Sequence, residues 1–179
     1  SVNEQNQVNA FLQELYDKYV FWNDEVGNFE DVVEHFSQKI LTELRKAYEY
    51  EYDGSGYAVW LFRTGAQDGP EDKSKVTSIL IEGDDWYTVF FSDMGLKGSC
   101  RFQAKLVDGK VFVSEFENGS MIPVVFLTGD NDAETETKCF EAGAMDFVGK
   151  PFVSQVLVSR VKRILENRQY QNHLEEMVA

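Results

Sequence analysis

Residues 122–152 read IPVVFLTGDNDAETETKCFEAGAMDFVGKPF, and this stretch decides how the chain is organised. It opens on the continuously apolar run IPVVFLT, the composition of a parallel strand covered on both faces. Asp132 stands where it can cap a helix over 133–142, Gly143 stops that helix, and MDFVG follows as a second short strand. Beyond it Val156, Leu157, Val161, Ile164 and Leu165 recur at helical spacing over 153–166. The polar tail NRQYQNHLEEMVA can prolong that helix in solvent. The order is β-α-β-α. Two parallel strands with two helices cannot bury both faces of a sheet, so the segment needs a partner surface.

Upstream the pattern differs. Val8, Phe11, Leu12, Leu15, Tyr16 and Tyr19 predict a first helix over 8–20. Val32, Val33, Phe36, Ile40, Leu41, Leu44 and Ala47 predict a second over 29–48, capped by Asn28 with Asp31 in a weak capping box. From about residue 57 the period falls to two. YAVWLF reads as a strand, VTSILIE and DWYTVFF flank a turn at Gly83-Asp84, and SCRFQAKLV and KVFVSEFE flank a sharper one at Asp108-Gly109. Two helices followed by a meander of long antiparallel strands predict an α+β domain whose sheet wraps over helices. Its end is placed near Glu117, giving domains 1–117 and 118–179. The junction at 118–121 fits a natural fusion, an engineered chimera or a truncated chain, since Gly119-Ser120 reads equally as a short linker or as native sequence.

Composition narrows the function classes. The chain has 179 residues, 43% of them hydrophobic and 14% aromatic, values of folded protein. Its 31 acidic residues against 17 basic ones give a net charge of −14, and no Arg/Lys cluster interleaves with aromatics, so a nucleic-acid surface is not supported. No apolar run reaches membrane-spanning length. Cys100 and Cys139 have no metal-ligand spacing and read as buried free thiols. Neither a cofactor nor a metal site is expected.

Residues 122–166 resemble the C-terminal half of a response-regulator receiver domain, on the strength of FLTG at 126–129, the aromatic Phe147 and the pair Lys150-Pro151. The resemblance implies a partial flavodoxin-like segment. It assigns Thr128 to the switch hydroxyl that contacts a phosphoryl group, Phe147 to the aromatic switch position, Lys150 to the lysine that neutralises phosphoryl oxygens, and Lys150-Pro151 to a cis peptide. The family's acidic Mg²⁺-holding pair and its phosphoacceptor aspartate have no counterpart here: Asp84-Asp85 lies in a hairpin and Asp108 in a turn. A lysine and a hydroxyl stabilise transferred phosphate only where a carboxylate and metal ligands accept it, so autonomous phosphoryl transfer is not expected. The plain structural reading makes Thr128 a strand-end hydroxyl, pairs Lys150 with Asp130 or Asp146, and leaves Phe147 to ordinary packing.

Residues 43–113 resemble small bacterial NTF2-like proteins of the DUF3828 type, through LTELRKAYEYEYDGSGYAVWLFRTGAQDGP, DDWYTVFFSDMGLKGSCRF and LVDGKVFV. That resemblance implies, for residues 1–117, a cone in which a curved antiparallel sheet wraps helices and leaves a pocket at its wide end, a fold that does not by itself give an activity. The residues nominated to hold a small polar ligand are Tyr57, Trp60, Arg63, Asp68 and Trp86, around the loop RTGAQDGPEDKSK. The plain reading has Arg63 pairing with Asp68 or Asp72 on the surface. His35 reads as a satisfied helix-edge histidine, and Asp93 as a pocket carboxylate or part of a turn. No catalytic set can be assembled from motif spacing.

Three functions follow, in order. The first is a non-catalytic ligand- or protein-binding, dimerising NTF2-like module joined to an incomplete receiver half. The second is a two-component response regulator acting by phosphorylation-dependent or receiver-like contacts. The third is a small-molecule enzyme using the NTF2-like pocket, with Asp93 or His35 as its bets. The expected partner is a second copy, or another protein that covers the receiver-like half. Compartment stays open, since the receiver-like half implies the cytoplasm and the NTF2-like resemblance implies the periplasm or export.

Overall fold

The computed structural model describes residues 1–52, 54–129, 132–141 and 144–178, with side chains through Arg168 and at Met177. It divides into two compact units, Ser1–Ile122 and Pro123–Ala179. Among the described residues no helix is long and apolar enough to cross a membrane.

In the first unit α1 (Val2–Glu14) is capped by the Ser1 side chain and runs into a wider π-type turn over Leu15–Val20. The wider turn buries Leu15, Tyr16, Tyr19 and Val20 together. The expected second helix is broken in two. Asn28 does cap, accepting the Glu30 N–H at 3.0 Å, but what it caps is a 3₁₀ helix, Phe29–His35. Phe36 then turns extended to bridge Val113, and Ser37 caps α2 (Gln38–Glu51) afresh through the Ile40 N–H. The break has a packing cause: Phe36 and Phe29 both sink into the aromatic core, a placement that one continuous helix would not allow.

YAVWLF is not a strand. Val59–Phe62 is a 3₁₀ turn, the Ala58 N–H bonds the Leu44 carbonyl of α2, and Phe62 is fully buried against Phe36, Phe102 and Phe116. A short apolar run does not distinguish a strand from a buried turn. The strands β1 (Lys75–Ile81), β2 (Trp86–Asp93), β3 (Leu96–Val107) and β4 (Lys110–Met121) form an open antiparallel sheet in that order. Three tight turns join them, each with backbone at positive φ: Asp84 and Asp85, Met94 and Gly95, Asp108 and Gly109. Alternation along β3 buries Gly98, Cys100, Phe102 and Ala104 on one face, where Tyr16, Phe62 and Phe91 close the core. Cys100 and Cys139 are both free and buried, and burial pushes the Cys100 thiol well above its ordinary range. What these elements establish is an α+β unit on an open sheet.

A single carboxylate ties the sheet to the rest. Asp93, at the end of β2, is fully buried. It accepts hydrogen bonds from Arg63 Nε at 3.2 Å and Nη2 at 2.6 Å, and from the Thr64 N–H and hydroxyl at 3.1 and 3.0 Å. Ser74 donates to it at 3.4 Å and accepts the Met94 N–H. Burial pushes the Asp93 pKa up, but the bonds from Arg63 and Thr64 outweigh it and hold the carboxyl below its ordinary range. Arg63 therefore pairs with neither Asp68 nor Asp72. Its backbone also lies so close to Gly119 that a Cβ there would collide with it.

That contact bears on the expected boundary at 117/118. Asn118, Gly119 and Ser120 belong to β4, with Ser120 opposite Ser99 and Met121 opposite Gly98. The glycine answers a close approach of two backbones.

In the second unit β5 (Val125–Thr128) pairs in parallel with β6 (Asp146–Gly149). Between them lies α3 (Ala133–Glu141), whose Thr135 N–H is capped by Asp132 at 2.7 Å as expected. The proposed stop at Gly143 lies outside the described residues. The long α4 (Ser154–Val178) includes the tail. The apolar strand is not covered on both faces: Phe126 and Leu127 remain 36% and 42% exposed, because two strands and two helices supply too little surface to enclose them.

Two outcomes follow. Gly119→Ala should lower unfolding free energy in urea by about 2 kcal/mol, the range of an overpacked site; an unchanged midpoint would favour the linker reading. Asp93→Asn should cost about 3 kcal/mol by leaving Arg63 without its counter-charge. The folded carboxyl titrates below its unfolded value, so the stability it contributes is complete above about pH 4 and is lost as pH falls through the folded pKa. Urea midpoints measured across that range should fall more steeply in the wild type than in Asp93→Asn.

Candidate functional site

The parallel pairing of β5 and β6 sets Thr128 opposite Gly149, so Thr128 and Lys150 leave the sheet at the same, carboxyl end. The Lys150 N–H donates to the Thr128 carbonyl at 2.5 Å, and the Lys150–Pro151 peptide is cis. Lys150 and Pro151 are exposed. Strand-end hydroxyls and ammonium groups on a parallel sheet sit where such folds hold ligands.

Phe147 lies deeper, paired with Phe126 in register. It is half-buried and lines a cleft of about 440 Å³ with Pro151, Phe152, Val156 and Arg160. Arg160 Nη1 donates to the Phe147 carbonyl at 2.8 Å and to Asp146 at 3.1 Å, fastening α4 to β6. Asp146 is thus engaged by Arg160, with Arg163 at 4.0 Å, and is not the partner proposed for Lys150. Asp130, the other proposed partner, lies outside the described residues. Asp132 is occupied at the N-terminus of α3, where the Thr135 N–H holds its carboxyl below the ordinary range. Among the described residues no cluster of three His, Cys, Asp or Glu is arranged to hold a metal ion.

The five residues nominated in the first unit do not converge. Trp60 packs on Tyr48 and Tyr52, Trp86 lies under the Arg101 guanidinium at 4.4 Å, and Asp68 is exposed. Arg63 is locked to Asp93. Tyr57 lines a different cleft, of about 640 Å³, with Tyr19, Trp22, Phe29, Glu30 and Arg45. Sequence reasoning placed Tyr19 on the apolar face of the first helix and assigned Trp22, Phe29, Glu30 and Arg45 to no site, because tertiary packing alone brings them together. His35 is satisfied as expected, with Nδ1 2.7 Å from the Val111 carbonyl and its ring beside Phe11.

No family model matches this chain, and no solved structure does. It is similar to the C4-dicarboxylate transport transcriptional regulatory protein DctD of Pseudomonas aeruginosa, 33% identical over 85 residues, 47% of this chain and 17% of that protein. It is also similar to the regulatory protein VanRB of Enterococcus faecalis, 26% identical over 84 residues, 47% of this chain and 38% of that protein. A third relative is the response regulator protein TodT of Pseudomonas putida, 36% identical over 50 residues, 28% of this chain and 22% of that protein. The chain spans less than half the length of each. The comparisons lend nothing to the NTF2-like resemblance, which had carried the first-ranked function. They point instead to response-regulator proteins, and the chain carries a receiver-domain-like region.

Proposed function

We propose that the chain serves two-component-type signalling, with residues 122–166 acting through receiver-like protein contacts and without phosphoryl transfer of their own. The observation that carries this reading is the placement of Thr128 and Lys150 at the carboxyl end of adjacent parallel strands, joined by a backbone hydrogen bond. The reading without chemistry is supported by the carboxylates nearby. Asp146 Oδ1 is bound by Arg160 and Asp132 caps α3, so that both carry structural contacts.

A contact function also fits the uncovered surface. Val158, Val161 and Leu165 of α4 are 55%, 38% and 48% exposed, and their spacing puts them on one stripe beside the inward-facing Leu157 and Ile164. Together with Phe126 and Leu127 they form apolar surface that a partner would cover. The partner proposed is a second copy of the chain, with another protein as the alternative outcome.

A second reading retains an NTF2-like cone for residues 1–117, with a binding role. What speaks for it is limited to register shifts in β1 and between β3 and β4, of the kind that bend strands locally. A crystal structure showing a flat sheet would remove it.

Two measurements test the main reading. With Mg²⁺ and BeF₃⁻ the chain alone should show no saturable NMR response, while an intact receiver run in parallel responds. A saturable response abolished by Lys150→Ala would replace the contact reading with a phosphorylation-dependent one. In sedimentation, the wild type should associate with rising concentration, and Val161→Asp with Leu165→Asp should weaken that association at least about tenfold, the cost of burying charge at an apolar contact. A wild type that stays monomeric throughout removes the self-association.

A further inference from the structure

The cleft of the first unit has features that neither the receiver-like region nor the fold requires. Its walls are aromatic: Tyr19, Trp22, Phe29 and Tyr57 line it, with Arg45 and Glu30 as its charged groups. Its volume of about 640 Å³ falls in the range of small-molecule sites.

Trp22 is the first anomaly. Its backbone sits at φ 51, a conformation that bulky side chains rarely adopt, and its indole is 47% exposed. Strain of this kind persists only where the surrounding structure enforces it, and it concentrates at functional positions. Here the strained backbone puts a large apolar ring at the rim of a cleft. Val26, also lining the cleft, is 83% exposed.

Arg45 is the second. Its guanidinium lies 4.2 Å from the Tyr57 ring centre, donates from Nη2 to the Tyr57 hydroxyl at 2.8 Å, and from Nη1 to the Ser55 carbonyl. The group is therefore held in one orientation. Its acidic neighbour does not complete it: Glu30 Oε2 is 3.8 Å from Nη2, beyond hydrogen-bond length. The Arg45 side chain keeps 34% of its surface open to solvent. A planar, pre-oriented guanidinium with donors to spare matches a carboxylate, which it can bind through two parallel hydrogen bonds.

We infer that this cleft binds a small aryl carboxylate, with the carboxylate on Arg45 in place of Glu30 and the ring against Trp22, Phe29 and Tyr57. A neutral aromatic would use the walls and leave the guanidinium unanswered. The inference needs no family assignment and involves no residue of the receiver-like region, so it stands or falls apart from the signalling proposal.

The test uses the full chain and protein-observed NMR, titrating phenylacetate, 3-phenylpropionate and indole-3-acetate beside their neutral amides. The acids should shift the Trp22 indole N–H saturably and bind about tenfold more tightly than the amides, the share of a charge-assisted pair. Arg45→Gln should erase that preference. Trp22→Gly, which suits the positive φ, should weaken every ligand without lowering the thermal midpoint. This variant separates a lost wall from a lost fold, should Arg45→Gln prove unstable. Absence of a saturable shift with any of the acids overturns the inference, and so does equal affinity for acids and amides or unchanged acid binding by Trp22→Gly.

Discussion

The first unit depends on the burial of one carboxylate. Asp93 has no exposed surface, so water contributes nothing to solvating its charge, and the protein must supply every hydrogen bond. The donors come from three separate places along the chain: Arg63 with Thr64, Ser74, and, through Ser74, the Met94 amide. Each is thereby fixed relative to the end of β2. The same arginine lies over the Phe21 ring at 5.3 Å, and its backbone presses against Gly119 of β4. One ion pair thus registers the first helix's exit, the 3₁₀ turn, the β2–β3 hairpin and the last paired residues of the sheet. A buried pair of this kind adds little net stability compared with a packed apolar core, but removing one member leaves a charge with no solvent. Its value is in specifying an arrangement.

Local signals in the sequence were legible where a local interaction decides the structure. Asp108-Gly109 turns as read because positive φ at two successive residues is a property of those residues and of the strands they join. Asp132 caps a helix for the same reason, and Asn28 caps too. Where tertiary packing decides, the letters were ambiguous. Residues 57–62 have the composition of a strand, but Phe62 is wanted in the core at a point where the backbone must also bond Leu44, and a 3₁₀ turn satisfies both. The helix predicted over 29–48 has the right periodicity on both sides of Phe36 and breaks there because Phe36 bridges β4.

Partner choice was the least legible property of all. Arg63 had two acidic residues within a few positions and bonds neither, because Asp68 can stay hydrated and Asp93 cannot. Desolvation selects the partner, and desolvation is a consequence of the whole fold. The same holds for the cleft around Arg45. Of the ligand residues nominated from sequence only Tyr57 lines it, since the cleft is assembled across two loops and a helix that no local pattern brings together.

The two units invert this relation between legibility and closure. The first has few recognisable motifs, yet its rings form a continuous core from Tyr16 through Phe102 to Phe62. The second is the most readable part of the chain, and it leaves strand and helix residues uncovered. Motifs such as a strand-end threonine, a capping aspartate and a lysine before proline are set by a few residues each, so they survive in a segment that lacks the strands to enclose it. Burial is not local in that sense. A two-stranded parallel sheet has apolar surface in excess of what two helices can take from water. The recognisable letters of residues 122–152 therefore define the local geometry of this unit, while its uncovered residues follow from how few elements it has to enclose them.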